Sequence, residues 1–286
     1  MKKRIKDLAF ALKVDVQTLI DLSNALNANE DSFYRSWDEP KTDERGNRKY
    51  KNGVLLTRPI NAPIFELKRI QRKILRNVLY KIELPQNYFG GVKKKDAVLN
   101  ARYHQGNKYF LLTDLKDFYP SISYLEVEKS LRKRGFYPNV ARLITRIGTK
   151  NGAIPQGCPT SSFLASLVVR NSAGDLLTTY ENQNKKVSLY VDDLTISSPT
   201  DFKNEVNEIL NELRNRGLKI NFDKTYYKSK NPVVTGVVVK NNGICAMPHT
   251  YDRAEDISRT VESREGHRVR IEYIKRIKNK KTQQAE

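Results

Sequence analysis

The apolar positions change rhythm along the chain. Ile5, Leu8 and Leu12, then Leu19, Ile20, Leu22 and Leu26, recur at helical spacing and predict two short helices over 5–27. Residues 36–54 are polar and charged, with Pro40 and Gly46, and predict a loop or weak hairpin. From Pro63 to Lys81 one face is Leu67, Ile70, Ile74, Val78 and Leu79. The other is Lys68, Arg69, Arg72, Lys73 and Arg76, so the segment predicts an amphipathic helix. Tyr109–Thr113 predicts a buried strand with Asp114 at its end. Ser123-Tyr124-Leu125-Glu126 is a capping box and predicts a helix over 124–134, stopped by Gly135.

Thr160 to Val169, apolar with small residues, predicts a buried helix. Val187–Val191 and Leu194–Ile196 predict two strands joined by a tight turn at Asp192 and Asp193, both carboxylates facing solvent. Thr200 caps a predicted helix through Phe202, Val206, Ile209, Leu210 and Leu213 that ends at Gly217. Strands over 218–222 and 233–239 follow, with a turn at Asn241-Asn242-Gly243. In the tail from 251, Ile271, Ile274 and Ile277 predict a helix that frays from Lys278 to Glu286. Strands and helices alternating around an antiparallel hairpin predict an α+β fold with helices on one sheet face.

Charge narrows the function classes. The chain carries 52 Lys+Arg against 32 Asp+Glu, a formal charge of +20, which predicts a polyanionic partner, nucleic acid above all. Its 15 Tyr supply stacking faces suited to single strands and RNA. No run of apolar residues is long enough for a membrane span. The start, Met1-Lys2-Lys3-Arg4, leads into an amphipathic pattern rather than a signal core. Cys158 and Cys245 form no metal spacing and need no disulfide, and His104, His249 and His267 form no zinc cluster; a cytoplasmic location is expected.

Carboxylates inside apolar runs are the candidate chemistry. A buried strand avoids adjacent carboxylates unless they are paired or bound to metal. Asp114, Asp192 and Asp193 therefore suggest a site for Mg²⁺, with Mn²⁺ as a substitute, since such ions take one or two carboxylates plus substrate phosphates. Two ions about 3.5–4 Å apart can clamp the attacking and leaving oxygens of a phosphoryl transfer.

Asp114…Phe118-Tyr119, Pro155-Gln156-Gly157, Tyr190-Val191-Asp192-Asp193, Gly217 to Thr225 and Val234-Thr235-Gly236 occur in the order and at the spacing of a reverse transcriptase palm, which this chain resembles over residues 58–240. Asn100-Ala101-Arg102-Tyr103-His104, Val234-Thr235-Gly236 and the segment Leu67–Arg72 narrow the resemblance to bacterial retron reverse transcriptases. The resemblance implies a right-hand polymerase. Residues 1–108 would be N-terminal helices and fingers, which continue in part of 124–160; 109–240 the palm; and 241–286 a short basic helical thumb using Arg264, Arg268, Arg270, Lys275 and Arg276.

It implies that Asp114, Asp192 and Asp193 hold two Mg²⁺ ions, and that Lys224 protonates the pyrophosphate leaving group. Arg58, Tyr119, Gln156 and Gly157 would meet the incoming dNTP, with Tyr119 excluding a 2′-OH and Gly157 allowing close backbone approach. Asn100, His104, Arg69, Arg72, Val234, Thr235 and Gly236 would face RNA or primer. Implied partners are a cognate structured noncoding RNA, its RNA–DNA product and a separate effector protein. The implied activity is 2′-OH-primed synthesis of branched, multicopy single-stranded DNA in anti-phage defence. No RNase H pattern is present, so removal of template RNA is expected to fall to the host. Alternatives are a group II intron-like or diversity-generating reverse transcriptase, or an RNA-binding scaffold that restrains an effector.

Overall fold

The computed structural model describes residues 4–43 and 46–279. In chain order the elements are α1 (Ile5–Leu12), α2 (Val16–Ala28), β1 (Tyr34–Pro40), β2 (Tyr50–Lys51), β3 (Val54–Leu55), β4 (Thr57–Pro63), α3 (Phe65–Asn77) and α4 (Ala97–Tyr103). They continue with β5 (Tyr109–Leu115), α5 (Tyr124–Lys133), α6 (Pro138–Gly148), α7 (Ser161–Asn182), β6 (Lys186–Tyr190), β7 (Asp193–Ser198), α8 (Val206–Asn215) and β8 (Ile220–Lys228). The last are β9 (Val233–Val234), β10 (Val237–Lys240), β11 (Gly243–Ala246), α9 (Pro248–Glu255) and α10 (Val261–Asn279).

Two compact units emerge, one of residues 1–84 and 117–172, the other of 85–116 and 173–286. The boundaries expected from sequence cut across them. Residues 85–108 group with the strand that carries Asp114 rather than with the N-terminal helices. The carboxyl-terminal 241–286 shares one apolar cluster with α4 and β5, through Val98, Ala101, Phe110, Val239, Ile271 and Ile274.

In the first unit, the buried face of α3 is Leu67, Ile70 and Ile74, and α1, α2, α3 and α6 pack on one another. Residues 36–54 are more ordered than their polarity predicts. β1 pairs antiparallel with β4 over Tyr34–Pro40, with the short β2–β3 pair between them. The Ser123 capping box forms as expected, and Gly135 follows α5 at φ 80°.

The second unit holds a four-stranded antiparallel sheet, ordered β6-β7-β5-β8, and a three-stranded one, ordered β11-β10-β9. The strand expected over 233–239 is broken at Thr235 and Gly236, both at positive φ (45° and 74°), and these two residues are a hairpin turn. Thr200 is not a helix cap; α8 begins after a 3₁₀ turn, Lys203–Glu205. Ile271, Ile274 and Ile277 are buried along α10 as their spacing predicted. The expected fraying falls, from residue 280 onward, outside the described residues, as do Met1, Lys2 and Lys3.

Candidate active site

The carboxylates come together on the second unit's larger sheet. β5 and β7 pair so that Asp114 lies directly opposite Asp193, and the backbone N–H of Leu115 donates to the carbonyl of Asp192 at 2.9 Å. The loop between β6 and β7 is only Val191 and Asp192. Val191 has φ 57°, a left-handed conformation that a β-branched side chain rarely takes. A strained residue beside a candidate catalytic group is where backbone strain tends to be retained.

The turn rests on glycine. Phe89 N–H donates to the Leu189 carbonyl (2.8 Å) and Leu189 N–H to the Asn87 carbonyl (3.0 Å), which lays residues 87–89 along β6. Gly90 then lies under the turn: a Cβ there would stand 2.1 Å from the backbone nitrogen of Val191. Sequence reasoning missed Gly90; its one signal was the pair Gly90-Gly91 after the aromatic Phe89.

β8 supplies the remaining polar groups. Asn221 pairs in register with Asp114 and its Nδ2 donates to Asp114 Oδ2 at 3.0 Å. Phe222–Thr225 then stand opposite Thr113 alone, a bulge that turns Lys224 back toward the carboxylates. Lys224 Nζ lies 2.7 Å from Asp114 Oδ1. Thr225 Oγ1 meets Thr113 Oγ1 at 2.7 Å and donates to the Asn221 carbonyl at 2.9 Å, which fixes the bulge. Asn221 was also missed; an Asn within a strand, where that residue is depleted, was the available signal.

Asp193 is not solvated at a hairpin tip. It is the first residue of β7 and half-buried. Burial, then the charges of Asp192 and Asp114, push its carboxyl up to about 7, against the opposing pull of Lys224. Burial lowers the Lys224 ammonium, but its bond to Asp114 and the field of all three carboxylates outweigh this and hold it above the ordinary lysine value. Crowded carboxylates with one lysine as counter-charge are a donor set a divalent cation would relieve. Among the described residues no three carboxylate, imidazole or thiol groups already converge on one point. The arrangement therefore fits an ion held by two carboxylates and completed by phosphate and water, not an all-protein cage.

Other expected residues lie in the first unit. Tyr119 is half-buried, its hydroxyl 2.8 Å from Ser162 Oγ at the start of α7. The Gln156 carbonyl accepts from Asn61 N–H at 2.7 Å. Gly157, at φ 110°, lies close to β4 of its own chain: a Cβ there would stand 3.0 Å from Ile60 Cγ2 and 3.2 Å from the Asn61 carbonyl oxygen. Arg58 is exposed on β4 opposite Glu39. Arg72 is exposed on α3, and Arg69 pairs with Glu66 there; with Phe65, Lys68 and Lys73 they line a cavity of about 380 Å³.

Asn100, His104 and Val234, expected to face RNA or primer, are each completely buried. His104 Nδ1 and Nε2 each lie 2.7 Å from a serine hydroxyl, Ser197 and Ser188 respectively. Asn100 Nδ2 reaches Thr235 Oγ1 at 3.5 Å. Beside Val234, Thr235 is half-buried and Gly236 exposed, so that turn reaches the surface, as do Arg69 and Arg72 on α3.

With this geometry in place, comparison with known proteins decides the family. The profile of the reverse transcriptase (RNA-dependent DNA polymerase) family matches residues 49–239. The chain belongs to that family. The matched span holds the three carboxylates, Lys224 and the Thr235 turn. Similar proteins include the retron Se72 reverse transcriptase of Salmonella heidelberg, 33% identical over 64% of this chain and 52% of that one. The retron Ec86 reverse transcriptase of Escherichia coli is 27% identical over 84% and 72% respectively. The retron Mx65 reverse transcriptase of Myxococcus xanthus is 26% identical over 95% and 68%. The match spans about half the length of the Salmonella protein. These relatives agree with the resemblance to bacterial retron reverse transcriptases. Among the described residues no helix is long and apolar enough to cross a membrane.

Proposed function

We propose that this chain is a retron-type RNA-directed DNA polymerase. The observation that carries the reading is the placement of Asp114 and Asp193 directly opposite one another, with Asp192 in the adjoining turn and Lys224 at 2.7 Å from Asp114. In this reading Asp114 and Asp192 hold Mg²⁺ or Mn²⁺, with Asp193 beside them. The ions, when bound, supply Lewis acidity toward the primer hydroxyl and charge neutralisation of the triphosphate. Asn221 orients the Asp114 carboxylate by donating to one oxygen. Lys224 is kept protonated by its carboxylate neighbours, which suits it to give a proton to the departing pyrophosphate.

Tyr119, anchored through Ser162, is the steric gate that disfavours a 2′-OH and so selects dNTPs. Gln156 and Arg58 contact the nucleotide. Arg69 and Arg72 contact RNA backbone, as the charge of +20 favours. The substrates are a cognate structured noncoding RNA and dNTPs, and the product is a branched single-stranded DNA. Action in the cytoplasm, in anti-phage defence with a separate effector protein, completes the proposal.

The test is nucleic acid extracted from cells expressing the chain with its neighbouring noncoding DNA, treated with RNase and with a 2′,5′-debranching enzyme. A short single-stranded DNA that changes mobility on debranching and vanishes in Asp192→Asn/Asp193→Asn supports the proposal. Primer extension without such DNA keeps the polymerase and discards the retron type. RNA and effector binding unchanged in the double variant, with no polymerase activity in the wild type, favours the scaffold.

A further inference from the structure

The short helix α4 touches both hairpins of the second unit. At its N-terminus Asp96 Oδ1 accepts from Val98 N–H (2.8 Å) and Leu99 N–H (2.9 Å), while Oδ2 accepts from the Tyr273 hydroxyl of α10 at 2.6 Å. One turn on, Asn100 Nδ2 reaches Thr235 Oγ1, and that hydroxyl donates to the Ala97 carbonyl at 2.8 Å. Past its C-terminus, His104 bridges Ser188 of β6 and Ser197 of β7. Asn107 Nδ2 donates to the same Ser197 hydroxyl at 2.7 Å.

The two serines lie on one face of the hairpin. Ser188 pairs with Thr195 and Lys186 with Ser197, so Ser188 and Ser197 are diagonal neighbours. By the two-residue period, Asp193 projects to the same face as Ser197 and Thr195. Tyr190, opposite Asp193, feels the charges of Asp96, Asp193 and Arg270. α4 therefore runs along the catalytic hairpin, Asp96 toward its turn and His104 toward its base. A buried imidazole bonded through both nitrogens to adjacent strands fixes their spacing in a way one hydroxyl pair does not.

We propose that His104 is a positioning residue for Asp192 and Asp193, and that α4 couples the Thr235–Gly236 turn to the hairpin carrying them. The proposal rests on the polymerase reading above, with that turn meeting the primer–template. Nucleic acid seated at Thr235–Gly236 loads Thr235 and Asn100, and α4 carries the load to Ser188 and Ser197. Burial keeps the imidazole neutral, with its pKa down at about 3 and Lys186 pulling the same way. The brace therefore needs no change of charge over the working pH range.

The experiment is single-turnover primer extension with His104→Ala, His104→Gln, Thr235→Val and the His104→Ala/Thr235→Val pair, well below each variant's melting temperature. Mn²⁺ affinity is read in parallel by electron paramagnetic resonance. The expected result for His104→Ala is a 10–100-fold fall in the extension rate constant at saturating dNTP, in line with the roughly 100-fold cost of about 1 Å of misplacement. The dNTP concentration for half-maximal rate should be unchanged, and Mn²⁺ binding weakened. His104→Gln, which keeps a donor and an acceptor, should recover most of the rate.

Coupling predicts that the pair loses less than the product of the single losses. Multiplicative losses overturn the coupling. An unchanged rate in folded His104→Ala overturns the positioning role. If His104→Ala does not fold, Ser188→Ala and Ser197→Ala take its place with the same expectations. No extension by the wild type would instead show that the polymerase reading has failed, and full extension by Asp192→Asn that the carboxylates are not its site, whatever His104 does.

Discussion

The Val191-Asp192 turn and the Thr235-Gly236 turn each join antiparallel strands with two residues, and each holds a β-branched residue at positive φ, 57° and 45°. A conformation of that kind costs about 1–3 kcal/mol and persists only where its surroundings over-determine it. The surroundings differ. Thr235 is held by hydrogen bonds: its hydroxyl donates to the Ala97 carbonyl and receives Asn100 Nδ2. Val191 has no polar group to offer, and its backbone is held by close packing on Gly90. A hydrogen-bonded turn can shift and re-form its bonds, whereas a turn pressed backbone to backbone has one position. The rigid support lies under the carboxylates, where small displacements are the most costly.

Gly90→Ala is the strongest way to break the comparison. The added Cβ would sit 2.1 Å from Val191 N and 2.9 Å from the Tyr190 carbonyl carbon, both main-chain atoms that cannot rotate away. We expect primer extension to fall at least about 100-fold and stability to drop by about 1–3 kcal/mol, measured by gel extension and denaturant titration. Wild-type extension in a folded Gly90→Ala protein would show that packing is not what places the turn.

Asp193→Asn is next. Removing one of three crowded carboxylates should abolish extension yet raise the stability of the metal-free protein, because Asp193 is desolvated beside Asp192 and Asp114. Thermal shifts with Mg²⁺ and with EDTA check this. Mg²⁺ should raise the melting temperature of the wild type and do little for the variant. The other turn acts on the ion only through α4: Thr235→Ala should reduce the Mg²⁺ shift far less than Asp193→Asn does.

A third prediction concerns pH. His104 has a folded pKa of about 3 against an ordinary 6.5, because burial and then Lys186 disfavour the imidazolium. Its contribution to stability is full above pH 6.5. It is lost as pH falls toward 3, where the unfolded chain takes up a proton that the folded one refuses. Melting temperatures between pH 7 and 5 should fall more steeply for the wild type than for His104→Gln. Equal slopes would mean the imidazole is not buried neutral.

The carboxylates were legible because charge inside an apolar strand has few innocent explanations, and their order along the chain matched a family pattern. The helices α3 and α10 were legible for a similar reason, one apolar stripe each. Supports were not. Gly90 acts by what it lacks, and its target, Val191, is about a hundred residues away. The serines at 188 and 197 sit in apolar strands where they look like filler, and only the pairing of β6 with β7 makes them a common seat for His104. Asn100 and His104 stood out as a motif, but whether a motif faces solvent or core is decided by tertiary packing. The strand expected over 233–239 failed because six apolar or β-branched residues masked a turn that Gly236 alone signalled.

The smallest effects compare two glycines that differ only in backbone. At Gly236, φ 74°, a Cβ would meet nothing closer than the end of the flexible Arg270 side chain at 3.5 Å. Gly236→Ala therefore carries the left-handed penalty alone, about 1–2 kcal/mol. Gly266, in α10, has open space and no positive φ. Gly266→Ala should stabilise by about 0.5–1 kcal/mol through helix propensity. Denaturant midpoints with unchanged slopes check both. Opposite signs would establish that the Thr235–Gly236 turn is limited by conformation, in contrast to the contact that sets Gly90. A loss at Gly236 as large as at Gly90 would mean that Arg270 is itself pinned, and that the second turn is as rigidly supported as the first.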